Sequence, residues 1–163
     1  EHYLRDLFER ACAGFYRLRL TPQGWKVQHG TQLKWDTSSM SSGMAAILPG
    51  MKLDIELVQP DPTGPGSRRI VIDTKFTSIT KTNQFADLKL RSGYVYQIYA
   101  YLMSQEASET DPKSEGLMLH PSVGEPVDEE VMIQGHRIRF ATVDLTADSA
   151  TIAEQLLAAI APA

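Results

Sequence analysis

The feature that most constrains the fold is a pair of apolar segments separated by a loop rich in turn-forming residues. Residues 51–58, MKLDIELV, alternate apolar and polar positions, and residues 68–76, RRIVIDTKF, form a more apolar run that contains Asp73 and Lys75. The intervening residues, QPDPTGPGS, contain three prolines and two glycines. Because proline and glycine favour turns, this pattern predicts a β-hairpin with a wide loop.

The charged residues of this hairpin predict chemistry. Side chains alternate along a strand, so Asp73 and Lys75 share one face and Thr74 points to the other. A strand that is apolar on both faces usually lies inside a sheet, where a carboxylate and an ammonium are costly unless they are paired. If the hairpin closes symmetrically, the numbers of paired residues add up to 127 and Asp54 faces Asp73.

Two facing carboxylates repel each other across a sheet, and a divalent cation between them reverses the sign of that interaction. Asp54 and Asp73 therefore predict a Mg²⁺ site, with the Thr74 carbonyl as a further ligand. Lys75 would lie beside the metal and orient, or help to deprotonate, an attacking water. The alternative is that Asp73 and Lys75 form an ordinary solvent-facing pair at a strand end.

Hydrophobic periodicity along the rest of the chain predicts further helices and strands. The predicted helices are 3–18, 86–103 and 148–160, the last capped by Asp148 or Ser149. The predicted strands are 24–35, with a possible turn at His29-Gly30, then 116–123, and 131–145 divided at Gln134-Gly135; residues 36–47 are predicted to be a loop. This order predicts an α/β (α+β) fold with a mixed central β-sheet flanked by helices, in one domain of residues 1–163.

Charge and cysteine content narrow the class of protein. The net charge is −4, but residues 1–103 contain 13 basic and 9 acidic residues, whereas residues 104–163 contain 3 and 11. The lone cysteine, Cys12, excludes an internal disulfide, fits a reducing cytoplasm and is expected to be buried. No signal peptide and no long apolar run are present, so we expect a cytoplasmic protein without a membrane partner. The helical pattern at Glu1 predicts a C-terminal fragment of a longer chain.

Other polar residues give a weaker signal. The four histidines do not have the spacing of zinc ligands, and the chain has no glycine-rich phosphate-binding loop. Basic residues that flank the predicted site in sequence are candidate contacts to DNA phosphates, the alternative being a solvated face: Arg68, Arg69, Lys81, Lys89 and Arg91.

These residues resemble the motif of the PD-(D/E)xK nuclease superfamily, read here as Asp54 followed by Asp73-Thr74-Lys75, with the proline displaced upstream to Pro49. Gln97 and Tyr101 resemble the Q-x-x-x-Y signature of the RecB-like branch, and Glu9 matches the acid of the first helix. For each of these residues the alternative is an ordinary polar position on a helix surface. The resemblance implies a PD-(D/E)xK restriction-endonuclease-like fold and a DNA endonuclease that uses Mg²⁺, for which Mn²⁺ may substitute. It implies catalytic roles for Gln97 and Glu9 and a DNA contact for Tyr101.

A more specific resemblance is to the McrC family, the nuclease subunits of 5-methylcytosine-dependent restriction systems. It rests on the stretches LFERACAGFYRL, LPGMKLDIEL, RRIVIDTKF, SGYVYQIYAYL, GLMLHPSV and IQGHRIRFATVDL. It implies double-stranded DNA as substrate and an AAA+ GTPase partner resembling McrB, contacted mainly through a missing N-terminal part. The alternatives are a catalytically silent nuclease-fold module for DNA binding or complex assembly, and a subunit that mainly stimulates a partner NTPase.

Overall fold

A computed structural model of the chain describes residues 2–61, 67–78, 80–82, 88–106 and 113–163, without the side chains of 80–82 and 88–89. Its helices are α1 (His2–Leu20), α2 (Met44–Ile47), α3 (Ser92–Ser104) and α4 (Ser149–Ala159), with a 3₁₀ turn at Thr21–Gln23. Its strands are β1 (Lys26–Leu33), β2 (Met51–Pro60), β3 (Ser67–Thr74), β4 (Thr80–Thr82), β5 (Leu88–Leu90), β6 (Glu115–Pro121), β7 (Asp128–Ile133) and β8 (His136–Val143).

Six of the strands form one mixed sheet in the order β1-β2-β3-β6-β8-β7. The first three strands are antiparallel, the pairs β3–β6 and β6–β8 are parallel, and β7 returns antiparallel to β8. The sheet is apolar on both faces, as expected for its parallel centre. The α/β class with a mixed central sheet and flanking helices is thereby confirmed.

Each face of the sheet has its own layer of helices. One core cluster joins buried residues of α1 and α4, such as Tyr16 and Leu156, to Ile55, Ile70 and Ile72 of the sheet. The other joins Ile98 and Leu102 of α3 to Val71, Met118 and Phe140. Since β3 contributes to both clusters, it lies at the centre of the molecule, and its end is where the predicted site falls.

The β2–β3 hairpin has the predicted register. The paired residues run from Ile55 opposite Ile72 to Pro60 opposite Ser67, and their numbers add up to 127 throughout. The observed pairing ends at Ile55 and Ile72, and continuing the series would bring Asp54 opposite Asp73. The tight turn between β7 and β8 was also predicted correctly, and it places Gln134 and Gly135 at φ 49° and 83°.

Two predicted elements were partly wrong, and one open alternative is decided. The helix predicted over 86–103 begins only at Ser92, because Leu88–Leu90 form a strand that pairs with Thr80–Thr82. Residues 24–35, predicted as one strand or two with a possible turn at His29-Gly30, contain the single strand β1 from Lys26 to Leu33, in which Gly30 takes up a φ of 70°. The loop predicted over 36–47 ends in one helical turn, Met44–Ile47.

Two smaller predictions are confirmed. Asp148 caps α4 by accepting a 2.8 Å hydrogen bond from the Thr151 amide. Cys12 is buried in the core, and burial, followed by the charge of Glu9, raises the pKa of its thiol to about 12. The thiol is therefore a packing group and not a reactive nucleophile. Among the described residues, no helix is both long and apolar enough to cross a membrane.

Candidate active site

The predicted pair of Asp73 and Lys75 lies where β3 ends, between β2 and β6. The Asp73 side chain is 1% exposed, and the Lys75 ammonium lies 2.5 Å from Asp73 Oδ2. Lys75 is one residue beyond the strand, but its amide still donates a 3.0 Å hydrogen bond to the Leu119 carbonyl of β6. The two side chains therefore lie on the same side, as the alternation predicted, and they are not a solvent-facing pair.

Asp73 carries an incompletely compensated charge. Its Oδ1 atom is buried and has no hydrogen-bond partner among the described residues. Burial raises the pKa of the Asp73 carboxyl to about 6; the Lys75 ammonium counteracts the rise, and the nearby charges of Asp54 and Glu9 add to it. A buried carboxylate without full hydrogen bonding is costly, so this oxygen is suited to an additional cationic ligand.

Asp54 is the second carboxylate of the site, and Thr74 fixes its orientation. Asp54 Oδ2 accepts hydrogen bonds from the Thr74 amide at 2.8 Å and from the Thr74 hydroxyl at 3.0 Å. Both bonds fall on Oδ2, and Oδ1 has no hydrogen bond to another residue within the described part of the chain. The prediction that Asp54 and Asp73 lie together at the end of the hairpin is therefore supported by contacts, although Asp54 bonds to Thr74 and not to Asp73.

A local irregularity in β2 accompanies this orientation of Asp54. Leu53 packs in the cluster beside α3, whereas Ile55, only two residues along, packs in the cluster beside α1. The regular alternation of faces is thus interrupted at Asp54. On β1, the residue level with Asp54 is Gly30, which the pairing register passes over. Its φ of 70° is a conformation that glycine adopts without strain.

Helix α3 brings Gln97 and Tyr101 to the same end of the sheet. Gln97 Nε2 donates a 2.8 Å hydrogen bond to the Tyr101 hydroxyl, as the spacing of four residues allows. Burial raises the pKa of Tyr101, the hydrogen bond from Gln97 lowers it, and the charges of Asp73, Lys75 and Asp54 also act on it. Tyr101 is therefore close to the three motif residues, and Gln97 is its direct neighbour.

Glu9 of α1 approaches the site from the opposite face of the sheet. Its Oε1 atom lies 2.7 Å from His29 Nε2 on β1. The two residues, with Asp6, Arg10 and Lys52, line a hollow of about 220 Å³. The charge of Glu9 contributes to the raised pKa of Asp73. Glu9 is thus near the carboxylate pair, but its described partner is a histidine, which sequence reasoning had not connected to it.

These residues fit a magnesium ion better than a zinc ion. Within the described part of the chain, no group of three or more His, Cys, Asp or Glu side chains could hold a metal ion. Mg²⁺ needs only one or two carboxylates, since waters and substrate phosphate complete its coordination. Asp54 and Asp73 would supply two such carboxylates. The Thr74 carbonyl as a further ligand stays a prediction.

The predicted DNA-contacting residues do not form one group. Arg68 and Arg69 begin β3, at the far end from Asp73, and they are engaged within the protein. Arg68 makes two bonds to the Glu115 carboxylate, at 2.6 and 2.9 Å, and Arg69 lies 3.1 Å from Glu56 Oε2. This geometry does not place them beside the carboxylates, and their contacts to DNA stay a prediction.

The other basic residues divide into two cases. Arg91, next to α3, is on the side of the active site, because its charge acts on His120 together with that of Lys75. The backbones of Lys81 and Lys89 pair with each other in the small β4–β5 sheet. Their side chains lie outside the described residues, so their contacts to DNA stay a prediction.

Sequence reasoning missed the residues that surround Lys75. Tyr94 of α3, His120 of β6 and Thr77 lie around its side chain and the segment that follows it. No motif or spacing connects them, since they meet only when α3 packs on β6. The one available signal was His120, a polar residue in the otherwise apolar strand GLMLHP.

Comparison with known proteins agrees with the resemblance that the sequence stretches suggested. No family model matches the chain. Over 151 residues, or 93% of its length, the chain is 29% identical to the type IV methyl-directed restriction enzyme EcoKMcrBC of Escherichia coli (strain K12). The chain spans 40% of the length of that relative. The predicted resemblance to the McrC family of restriction-system subunits is therefore confirmed across nearly the whole chain.

Proposed function

We propose that this chain is the metal-dependent DNA-cleaving domain of a methyl-directed restriction system, with a PD-(D/E)xK fold. The observation that carries the proposal is the buried Asp73: its Oδ1 has no hydrogen-bond partner among the described residues, its Oδ2 is paired with Lys75, and the charge of Asp54 adds to its raised pKa. Strongly perturbed ionisable groups with specific charge partners are typical of functional sites. The similarity to a restriction enzyme supports the same conclusion.

Asp54 and Asp73 would hold Mg²⁺, or Mn²⁺ in its place, with the Thr74 carbonyl as a further ligand. When bound, such an ion polarises the phosphodiester and makes a coordinated water more acidic. Asp73 must be ionised to bind it, and Lys75 favours that ionisation. Thr74 keeps Asp54 in place through its two hydrogen bonds. The protein thereby supplies an arranged pair of anions before any ligand arrives.

Lys75 has a second role in the proposed reaction. Its ammonium is held beside Asp73 at 2.5 Å, and its side chain is only 14% exposed. A cation at that position stabilises the negative charge that builds up on the phosphate during attack by water, and it orients that water. Gln97, hydrogen-bonded to Tyr101, would position the DNA backbone on the α3 side. Glu9 would orient water from the α1 side.

The substrate would be double-stranded DNA, delivered by an AAA+ GTPase resembling McrB. With a net charge of −4, the chain has little general attraction for phosphate, and such attraction dominates nonspecific DNA affinity. Two of its arginines, Arg68 and Arg69, are also occupied by internal carboxylates. A domain of this kind depends on a partner to hold the duplex at Lys75, which makes cleavage conditional on recognition of 5-methylcytosine elsewhere.

The test is a cleavage assay with methylated and unmethylated duplexes in Mg²⁺. It compares the 163-residue chain alone with the complete subunit plus the GTPase. We expect methylation-dependent cutting only in the complete complex. Asp54→Ala, Asp73→Ala and Lys75→Ala should each abolish cutting while GTP hydrolysis by the partner continues. Efficient methylation-specific cutting by the isolated chain would contradict gating, and wild-type cutting by any of the three variants would contradict the role of that residue.

A further inference from the structure

Lys75 is positioned by contacts that lie outside the motif. The strand β3 ends at Thr74, and the bond from the Lys75 amide to the Leu119 carbonyl is its last contact of this kind with β6, so the sheet does not fix the residues after Lys75. Three hydrogen bonds hold them instead. His120 Nδ1 bonds to the Thr77 carbonyl at 2.8 Å, the Tyr94 hydroxyl pairs with Thr77 Oγ1 at 3.0 Å, and Arg91 Nε donates to the Ser78 carbonyl at 3.1 Å.

His120 supplies a fixed anchor for this segment. It is completely buried, and because a carbonyl can only accept, its Nδ1 must carry the proton in the bond to Thr77. Burial lowers the pKa of His120 to about 4; the Thr77 bond opposes that change, and the positive charges of Lys75 and Arg91 add to it. The ring therefore stays neutral at physiological pH. Its donor bond to the segment that follows Lys75 is consequently constant.

Tyr94 connects this anchor to the ammonium group itself. The Lys75 Nζ atom lies 5.7 Å from the centroid of the Tyr94 ring, within the range of a cation–π contact. The same ring packs against the His120 ring, with centroids 5.4 Å apart and planes tilted by 47°. Tyr94 thus touches Lys75 with its ring and the backbone segment with its hydroxyl. Asp73 fixes the Lys75 ammonium from one side and Tyr94 from another.

We propose that Tyr94 is the positioning residue of Lys75. Its ring confines the ammonium beside Asp73, and its hydroxyl, with His120, holds the segment that follows Lys75. This inference rests on the proposed function for its effect on cleavage, but not for its effect on Lys75 itself. The contacts of Tyr94 also join α3, which carries Gln97, to the end of β3. A shift of α3 would move the lysine together with the other residues of the site.

The test uses Tyr94→Leu, which removes ring and hydroxyl, and Tyr94→Phe, which keeps the ring. Tyr99→Leu is the matched control, because Tyr99 is a half-buried tyrosine of the same helix whose hydroxyl bonds to Gln134 instead. In the complete subunit, mass spectrometry measures how fast a water-soluble, amine-reactive reagent modifies Lys75. The exposed Lys26 is the internal reference. Cleavage is then measured in the complex with the GTPase.

We expect Lys75 to be modified several-fold faster in Tyr94→Leu than in the wild type, in Tyr94→Phe or in Tyr99→Leu. Cleavage should fall by up to about 100-fold in Tyr94→Leu, since a misplaced group of an active site has an effect of that order. Tyr94→Phe should show a smaller loss than Tyr94→Leu, because it keeps the ring and loses only the hydroxyl contact to Thr77. Mg²⁺ affinity should stay unchanged in all three variants, because no metal ligand is altered.

Three results would overturn the inference: unchanged modification of Lys75 in Tyr94→Leu, an equal change in Tyr99→Leu, or faster modification without loss of cleavage. If Tyr94→Leu does not fold, Tyr94→Met fills more of the space without a ring and is read in the same way. Absence of cleavage by the wild-type complex would refute the proposed function instead, and the modification rates would still decide whether Tyr94 positions Lys75.

Discussion

The two ends of β3 carry charged residues in different states. At its start, Arg68 and Arg69 are each matched by a carboxylate, Glu115 and Glu56 respectively. At its other end, roughly 16 Å away at the rise of a strand, Asp73 keeps one unpartnered oxygen although Lys75 lies beside it. At the arginine end of β3 each charge has a partner of opposite sign. At the Asp73 end one buried oxygen has no partner among the described residues, and this is the basis of the proposed metal site.

The largest expected effect is the loss of cleavage when Lys75 is replaced, and replacement of an arginine at the other end of β3 is the control. Lys75→Met should lower cleavage in the complete complex by at least about 100-fold, the usual scale for a group that moves protons or stabilises developing charge. Arg69→Met removes a cation from the arginine end of the same strand and should leave the cleavage rate per folded molecule near that of the wild type. Comparable losses in both variants would show that the two ends do not differ in function.

The next effect is on stability, and its sign follows from the raised pKa of Asp73. A carboxyl whose pKa is about 6 in the folded protein, against 3.8 as its ordinary value, favours folding below pH 4. That contribution is lost as the pH rises through 6, where the buried group must ionise. Without metal, the wild type should lose on the order of 3 kcal/mol between pH 4 and pH 7, relative to Asp73→Asn.

Urea unfolding of both proteins across this pH range measures the difference. Mg²⁺ should restore stability to the wild type at neutral pH and not to Asp73→Asn, because a ligand that binds the folded state alone stabilises it. Parallel pH curves for the two proteins would show that Asp73 titrates near its ordinary range. Asp73 would then lack the raised pKa on which the proposed site depends.

A smaller effect on stability is expected at the arginine end of β3. Arg68→Ala leaves the half-buried Glu115 without its bidentate partner, although Arg137 lies 3.5 Å from the same carboxylate. The loss should be about 2 kcal/mol in the free energy of unfolding, between the values for surface pairs and fully buried pairs. Cleavage by the folded fraction should not change. A selective loss of DNA affinity would confirm Arg68 as a contact to DNA.

The smallest effects are expected from the residues proposed to position water and DNA. Glu9→Ala and Gln97→Ala should each reduce cleavage about tenfold, which is below the range for a group that itself transfers a proton. His29→Ala should resemble Glu9→Ala, because the 2.7 Å contact joins these two side chains. Measured rates in the complete complex test this order. A complete loss in Glu9→Ala would make Glu9 a direct participant.

The hairpin shows what the sequence could predict. Symmetric closure of the turn-rich loop predicted the register of the hairpin. The alternation of Leu53, Ile55 and Leu57 predicted that all three share one face, which was wrong, because Leu53 packs in the cluster beside α3 and the other two beside α1. The start of α3 was missed because Leu88 and Leu90 suit a strand as well as a helix. The packing of Tyr94 between Lys75 and His120 depends on how α3 lies on β6, and nothing local in the sequence specifies that contact.

The most direct test of the central claim is a crystal structure with Mn²⁺, whose anomalous scattering identifies the ion by position. We predict one peak between Asp54 and Asp73, within coordination distance of both carboxylates and of the Thr74 carbonyl. In crystals of Asp73→Asn grown and soaked in the same way, that peak should be absent. A fully occupied Mn²⁺ elsewhere on the molecule, or an Asp54–Asp73 pair that stays free of metal at saturating Mn²⁺, would contradict the account.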